Sequence, residues 1–277
     1  MLATLLSTTL VALEGRVIRV EVDVAPGLPG FTIVGLGDAS IREARERVRG
    51  ALRNSGFVHP PRRITVNLAP ADVPKTGPAA DLAIAIGILV GSEQFKARVG
   101  RAALIGEVSL GGEVRAVPGL LPMVAALARR GVRRVIVPAQ GAEEAMLVGG
   151  LEVVPVGTVA EAVDALRSRR RAAPARPERV ELGAGRLEAV EGGGARGPVL
   201  LETQPVPDLA EVRGQAEARR ALEVALAGGH GLLMIGPPGT GKTMLARTIP
   251  GLLPPLSDEE SLAATIVASV SGEAPIR

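Results

Sequence analysis

Gly236-Pro237-Pro238-Gly239-Thr240-Gly241-Lys242-Thr243 fits the pattern G-x-x-x-x-G-K-[ST] of a phosphate-binding loop. Each residue type has a physical reason. Gly236, Gly239 and Gly241 allow backbone N–H groups to turn inward and come close to an anion. The helix expected next, Thr243 to Ile249 with Pro250 as its stop, directs the positive end of its dipole at the same point. Lys242 adds a full positive charge for the β- and γ-phosphates, and Thr243 offers a hydroxyl to Mg²⁺. The competing reading is a chance Gly-rich turn. Gly is common here, at 35 residues, but Lys occurs only at 75, 96 and 242. The apolar run Gly231–Ile235 in front of the loop reads as a strand, which completes the strand–loop–helix context.

Working outward, the unit that holds the loop is expected to run from 201 to 277. Within it, Leu209 to Gly228 includes a helix, and Ser257-Asp-Glu-Glu260 fits a capping box for a last one. Upstream, residues 167–200 open on Arg167-Ser-Arg-Arg-Arg171 and continue rich in Ala, Pro, Gly and Glu, the composition of a linker. Residues 1–166 read as a separate α/β domain. Arg16–Val24 and Arg63–Leu68 alternate polar and apolar residues as half-buried strands do. Phe31–Val34 is a short strand, and Asp38 or Ser40 caps a helix to about Arg53. Ala79–Val90 is nearly all apolar and reads as a buried helix. Ala103–Val108 and Glu113–Val117 flank Gly111-Gly112 as a hairpin. A helix (119–130), strand (133–137), helix (141–148), strand (151–156) and helix (158–167) follow.

Composition narrows the chemistry. The chain has 277 residues, no Cys and two His, so disulfides and thiolate or His-based metal sites are not expected. With three Phe and no Tyr or Trp, cores must be built from aliphatic residues. The formal net charge of +3 permits a nucleic-acid partner without requiring one. Arg42, Arg45, Arg47 and Arg49 crowd one helix, beside Arg62-Arg63, Arg129-Arg130 and Arg133-Arg134. These are phosphate-contact candidates or solvated faces partly paired with Glu43 and Glu46. The first 13 residues lack a basic n-region and a cleavage signature and read as a strand. No apolar run reaches membrane-spanning length, and a cytoplasmic location is the expectation.

Together the motifs resemble the magnesium-chelatase-like AAA+ ATPases of the YifB/ComM type, over nearly the whole chain. The residues that carry the resemblance are Val34–Asp38, Arg45–Arg49, Asn54–Phe57, Ile64–Asp72, Val212–Gln215, Gly228–His230 and Gly236–Leu256. The resemblance implies an N-terminal Lon-protease-like (ribosomal S5 domain 2-like) α/β domain, followed by the start of a P-loop AAA+ α/β module. It also implies ATP with Mg²⁺ as cofactors, Val212, Gly214 and Gln215 against the adenine, and assembly into a homo-oligomeric ring, a hexamer.

Lon-type proteases carry a Ser nucleophile in a loop similar to Lys75-Thr-Gly-Pro-Ala79, and a Lys after a run similar to Pro118-Gly119-Leu120. The matching positions here are Ala79 and Leu121. A Ser–Lys dyad needs a hydroxyl and an amine of lowered pKa, so no peptidase activity is expected. The resemblance points to an ATP-dependent DNA-remodelling motor in recombination or competence. Alternatives are a magnesium-chelatase subunit of tetrapyrrole synthesis and a non-enzymatic Lon-like scaffold or DNA-binding module. The acidic strand that orients Mg²⁺ and water, and the neighbouring subunit's Arg, are expected beyond Arg277. Asp258, Glu259 and Glu260 read as a helix cap. Taken as it stands, the chain is expected to bind nucleotide without turning it over.

Overall fold

A computed structural model describes residues 1–95, 102–167 and 206–272. The described residues divide into two compact units, one of residues 1–167 with 263–272 and one of residues 206–262. Nearly all of the expected 167–200 linker lies outside the described residues.

The first unit is built on a seven-stranded sheet of order β3-β4-β2-β1-β5-β8-β9. Its strands are β1 (Leu2–Val11), β2 (Glu14–Ala25), β3 (Gly30–Val34), β4 (Arg63–Ala69), β5 (Ala102–Leu104), β8 (Arg134–Pro138) and β9 (Glu152–Val156). The apolar N-terminus pairs along its full length with β2 as an antiparallel hairpin, from Leu2↔Asp23 to Val11↔Glu14. β2 pairs antiparallel with β4, and the remaining neighbours run parallel.

Alternation along the strands sorts the side chains into two cores. On one face Leu5, Ile18, Val20, Val22, Leu104 and Ile136 pack with helices α1 (Ala39–Asn54), α2 (Asp81–Gly91) and α5 (Val159–Arg167). On the other face Ala103, Val135 and Val137 pack with α3 (Leu120–Arg129) and α4 (Ala142–Met146). α2 buries apolar residues on every side, as its composition requires. Asp38 caps α1 by accepting from the Ile41 N–H at 2.9 Å.

The expected 103–108/113–117 hairpin is shorter than its pattern. β5 belongs to the main sheet, between β1 and β8, and only β6 (Glu107–Val108) and β7 (Val114–Arg115) form the ladder around Gly111-Gly112. Ala102–Leu104 is wholly buried and finds partners on both sides, so it serves the larger sheet.

The second unit holds α6 (Ala216–Ala227) and α7 (Lys242–Leu252), with α8 (Asp258–Ser271) spanning the division. Leu209, Val212, Leu222 and Leu245 form its small core. Two expectations fail here. Gly231–Ile235 forms no strand, because it has no ladder partner among the described residues, and Leu233 and Ile235 are 82% and 87% exposed. α7 also continues past Pro250 to Leu252, the last turn closing through the Leu253 N–H on the Ile249 carbonyl at 3.3 Å. Proline so near the end gives up a single helical bond. The Ser257–Glu260 capping box forms as expected, with Ser257 N–H to Glu260 Oε2 at 2.9 Å and Glu260 N–H to Ser257 Oγ at 3.3 Å. Among the described residues no helix is long and apolar enough to cross a membrane.

Candidate nucleotide-binding site

The loop between Ile235 and α7 turns through two left-handed glycines, Gly239 (φ 84°) and Gly241 (φ 81°). A Cβ at either position would meet no atom within 4 Å, so the demand for Gly is conformational rather than steric. Gly241 sits at the N-cap of α7 with no side-chain cap. The first N–H groups of the helix are thus available to an anion. Lys242 folds back along the loop. Its Nζ donates to the carbonyls of Gly236 (2.8 Å) and Pro237 (2.7 Å) and to Thr240 Oγ1 (3.2 Å). Thr240 Oγ1 in turn donates to the Pro237 carbonyl at 3.0 Å. The Thr243 side chain, on the first turn of α7, is exposed.

Of the three residues expected at the adenine, Gly214 is left-handed (φ 74°). Gln215, itself left-handed (φ 54°) at the start of α6, donates through Nε2 to the Thr240 carbonyl at 3.1 Å. Val212 is buried in the core of the unit, and its carbonyl accepts from Arg219 at 3.3 Å. Gln215 thus ties the α6 entry to the phosphate loop. No cluster of three or more His, Cys, Asp or Glu able to hold a metal ion occurs among the described residues.

In the first unit, Lys75 is fully buried and its Nζ donates to the Pro70 carbonyl. Burial pulls this amine below the ordinary Lys range, partly opposed by Asp72. The loop after it is tied down at three points. Thr76 N–H bonds Thr9 Oγ1 (3.0 Å), Thr76 Oγ1 bonds the Leu10 carbonyl (2.8 Å), and Gly77 N–H bonds Asp38 Oδ2 (2.9 Å). Ala79 and Leu121 are both buried.

Sequence patterning grouped Arg47 with the surface arginines. It is instead the partner of Asp81, through Nε–Oδ2 at 2.7 Å and a second bond of 3.3 Å to Oδ1. The available signal was Asp81 itself. A carboxylate opening a wholly apolar helix has to find a cation or a proton.

Comparison with known proteins rests on both units. The description "Subunit ChlI of Mg-chelatase" matches residues 20–141, and "Magnesium chelatase, subunit ChlI" matches residues 208–276. YifB of Escherichia coli is 42% identical over 258 residues, covering 92% of this chain and 47% of YifB. Competence protein ComM of Haemophilus influenzae is 39% identical over 270 residues, covering 97% of this chain and 50% of ComM. The chain belongs to the magnesium-chelatase-like family of YifB and ComM. It spans about half the length of these curated relatives. Lon protease 2 of Bacillus subtilis is 31% identical over 121 residues, 43% of this chain. The seven-stranded unit of this chain is thus a Lon-like α/β domain, followed by the start of an AAA+ module.

Proposed function

We propose that the chain is the nucleotide-binding portion of a ring-forming, ATP-dependent motor that acts on DNA. The observation that carries this reading is the phosphate loop. Two left-handed glycines and an uncapped helix start surround a Lys whose ammonium is held along the loop by three oxygens. Phosphate oxygens would replace those loop oxygens as Lys242 partners, backbone N–H groups from Gly239 to Thr243 would bind the β-phosphate, and Thr243 would bind Mg²⁺. The Val212–Gln215 segment would take the adenine, and Gln215 would couple it to the loop. Turnover is assigned to groups in the part of the relatives that this chain does not cover. The Lon-like unit, with Ala79 and Leu121, acts as an assembly or DNA-contact scaffold and not as a peptidase.

DNA as partner takes its support from the printed name of ComM, a competence protein. Insertion of magnesium into a tetrapyrrole takes its support from the two family descriptions. Porphyrin-stimulated ATP turnover would favour that second reading over the first.

The test is binding of a fluorescent ATP analogue with Mg²⁺. Lys242→Ala is expected to weaken binding by at least tenfold, about 1.4 kcal/mol, with an unchanged circular dichroism spectrum. Equal affinity in the variant would remove the loop from the mechanism.

A further inference from the structure

α1 carries Arg45, Arg49 and Arg53 at intervals of four residues, one stripe along one face. Like charges so spaced repel each other and weaken the helix. Arg45 is partly offset by Glu46 at 3.4 Å, while Arg49 and Arg53 have no ion-pair partner within 4 Å among the described residues. Facing the stripe is the segment His59–Arg62, with Phe31 at the start of β3. Together they enclose a cavity of about 330 Å³, lined by four arginines against the single acid Glu46. The Phe31 and His59 rings lie side by side, with centroids 5.9 Å apart and planes tilted by 40°. His59 Nε2 is shut off from solvent and has no hydrogen-bond partner. Arg49 and Arg53 line the same cavity as His59, and burial first, then their charges, lower the His59 pKa below its ordinary value.

We infer that this cavity binds the phosphodiester backbone of single-stranded nucleic acid, with Arg49, Arg53 and Arg62 on phosphates and the Phe31–His59 pair as a wall for a base. Cationic side chains that bear no partner, together with rings in one concavity, are the recurring composition of single-strand sites. The volume is at the small end of ligand cavities, roughly 300–1,000 Å³. It admits a nucleotide unit and not a duplex. Arg47, on another face of the same helix, is committed to Asp81 and takes no part. This inference rests on the DNA-partner reading above and gives it a place in the first unit.

The test uses the 277-residue chain and a fluorescein-labelled oligothymidylate of 20 nucleotides, with anisotropy read across a salt series. Arg49→Gln/Arg53→Gln is expected to weaken binding on the order of tenfold and to reduce the salt slope by about 1.4, two single-strand phosphate contacts. Glu46→Gln is expected to tighten binding and does not depend on the first variant's folding. Arg129→Gln/Arg130→Gln is expected to change neither. Wild-type affinity and slope in the Arg49/Arg53 variant would overturn the site while leaving the DNA reading intact. Binding of duplex but not of oligothymidylate would do the same. Binding of neither by the wild-type chain would overturn both.

Discussion

Asp81 is a carboxylate that the sequence of its own helix cannot accommodate. Its neighbours in α2 are Leu82, Ala83, Ile84 and Ala85, all fully buried. The bidentate Arg47 contact and a 3.5 Å bond from the Val108 N–H satisfy its oxygens, yet burial still pushes its pKa from 3.8 up to about 6. The folded chain thus holds this proton more tightly than the unfolded chain. Between about pH 3.8 and 6 the native state carries the extra proton, so the contribution of Asp81 to stability falls as pH rises through that window and is level above it. The slope for one proton is at most about 1.4 kcal/mol per pH unit. Urea unfolding midpoints measured from pH 4 to 7 are expected to fall less steeply in Asp81→Asn than in the wild type. Parallel curves would show that the carboxyl titrates normally.

At the scale of elements, helices and strands of the first unit follow their periodicities closely. α1, α2, α3 and α5 begin and end within two residues of their patterns because each shows its buried face, or its all-apolar character, in the sequence. What the patterns could not supply is which strand pairs with which. Ala103–Val108 reads as one hairpin arm, but Ala102–Leu104 goes to the main sheet, a choice made by β1 and β8 from far along the chain. Gly231–Ile235 fails for the complementary reason, since apolar residues of strand length make a strand only beside another. One contact between elements turns on a single hydrogen atom. A Cβ on Gly15, in β2, would lie 2.3 Å from the Pro122 carbonyl oxygen and 2.6 Å from Met123 Cα. That backbone belongs to α3 and cannot swing aside as a side chain would. Gly15→Ala is therefore expected to displace α3 and cost about 1–3 kcal/mol, read as a lowered midpoint in denaturant. A change below half of that would mean that the helix rides freely on the hairpin.

On the scale of the whole molecule, the first unit has two largely aliphatic cores and the second has one small core that shares no residue with them. Nucleotide is expected to stabilise only the unit that holds the loop. At a hundredfold excess over the dissociation constant this amounts to about 2.7 kcal/mol. In scanning calorimetry Mg²⁺–ATP should raise one transition and leave the larger one in place, and Lys242→Ala should abolish the rise. A uniform rise of both transitions would place the ligand elsewhere. The left-handed glycines and the helix start at Lys242 were legible from sequence because they are local to eight residues. The Arg49–His59–Arg62 concavity was not, because it joins a helix, a loop and a strand end that no single periodicity connects. Leu233 and Ile235 stand in water beside a backbone whose N–H and C=O groups have no ladder among the described residues. Such a segment accepts a strand from any source, including another molecule. Self-association through this segment is the expected consequence, read in light scattering as an apparent mass that rises with protein concentration.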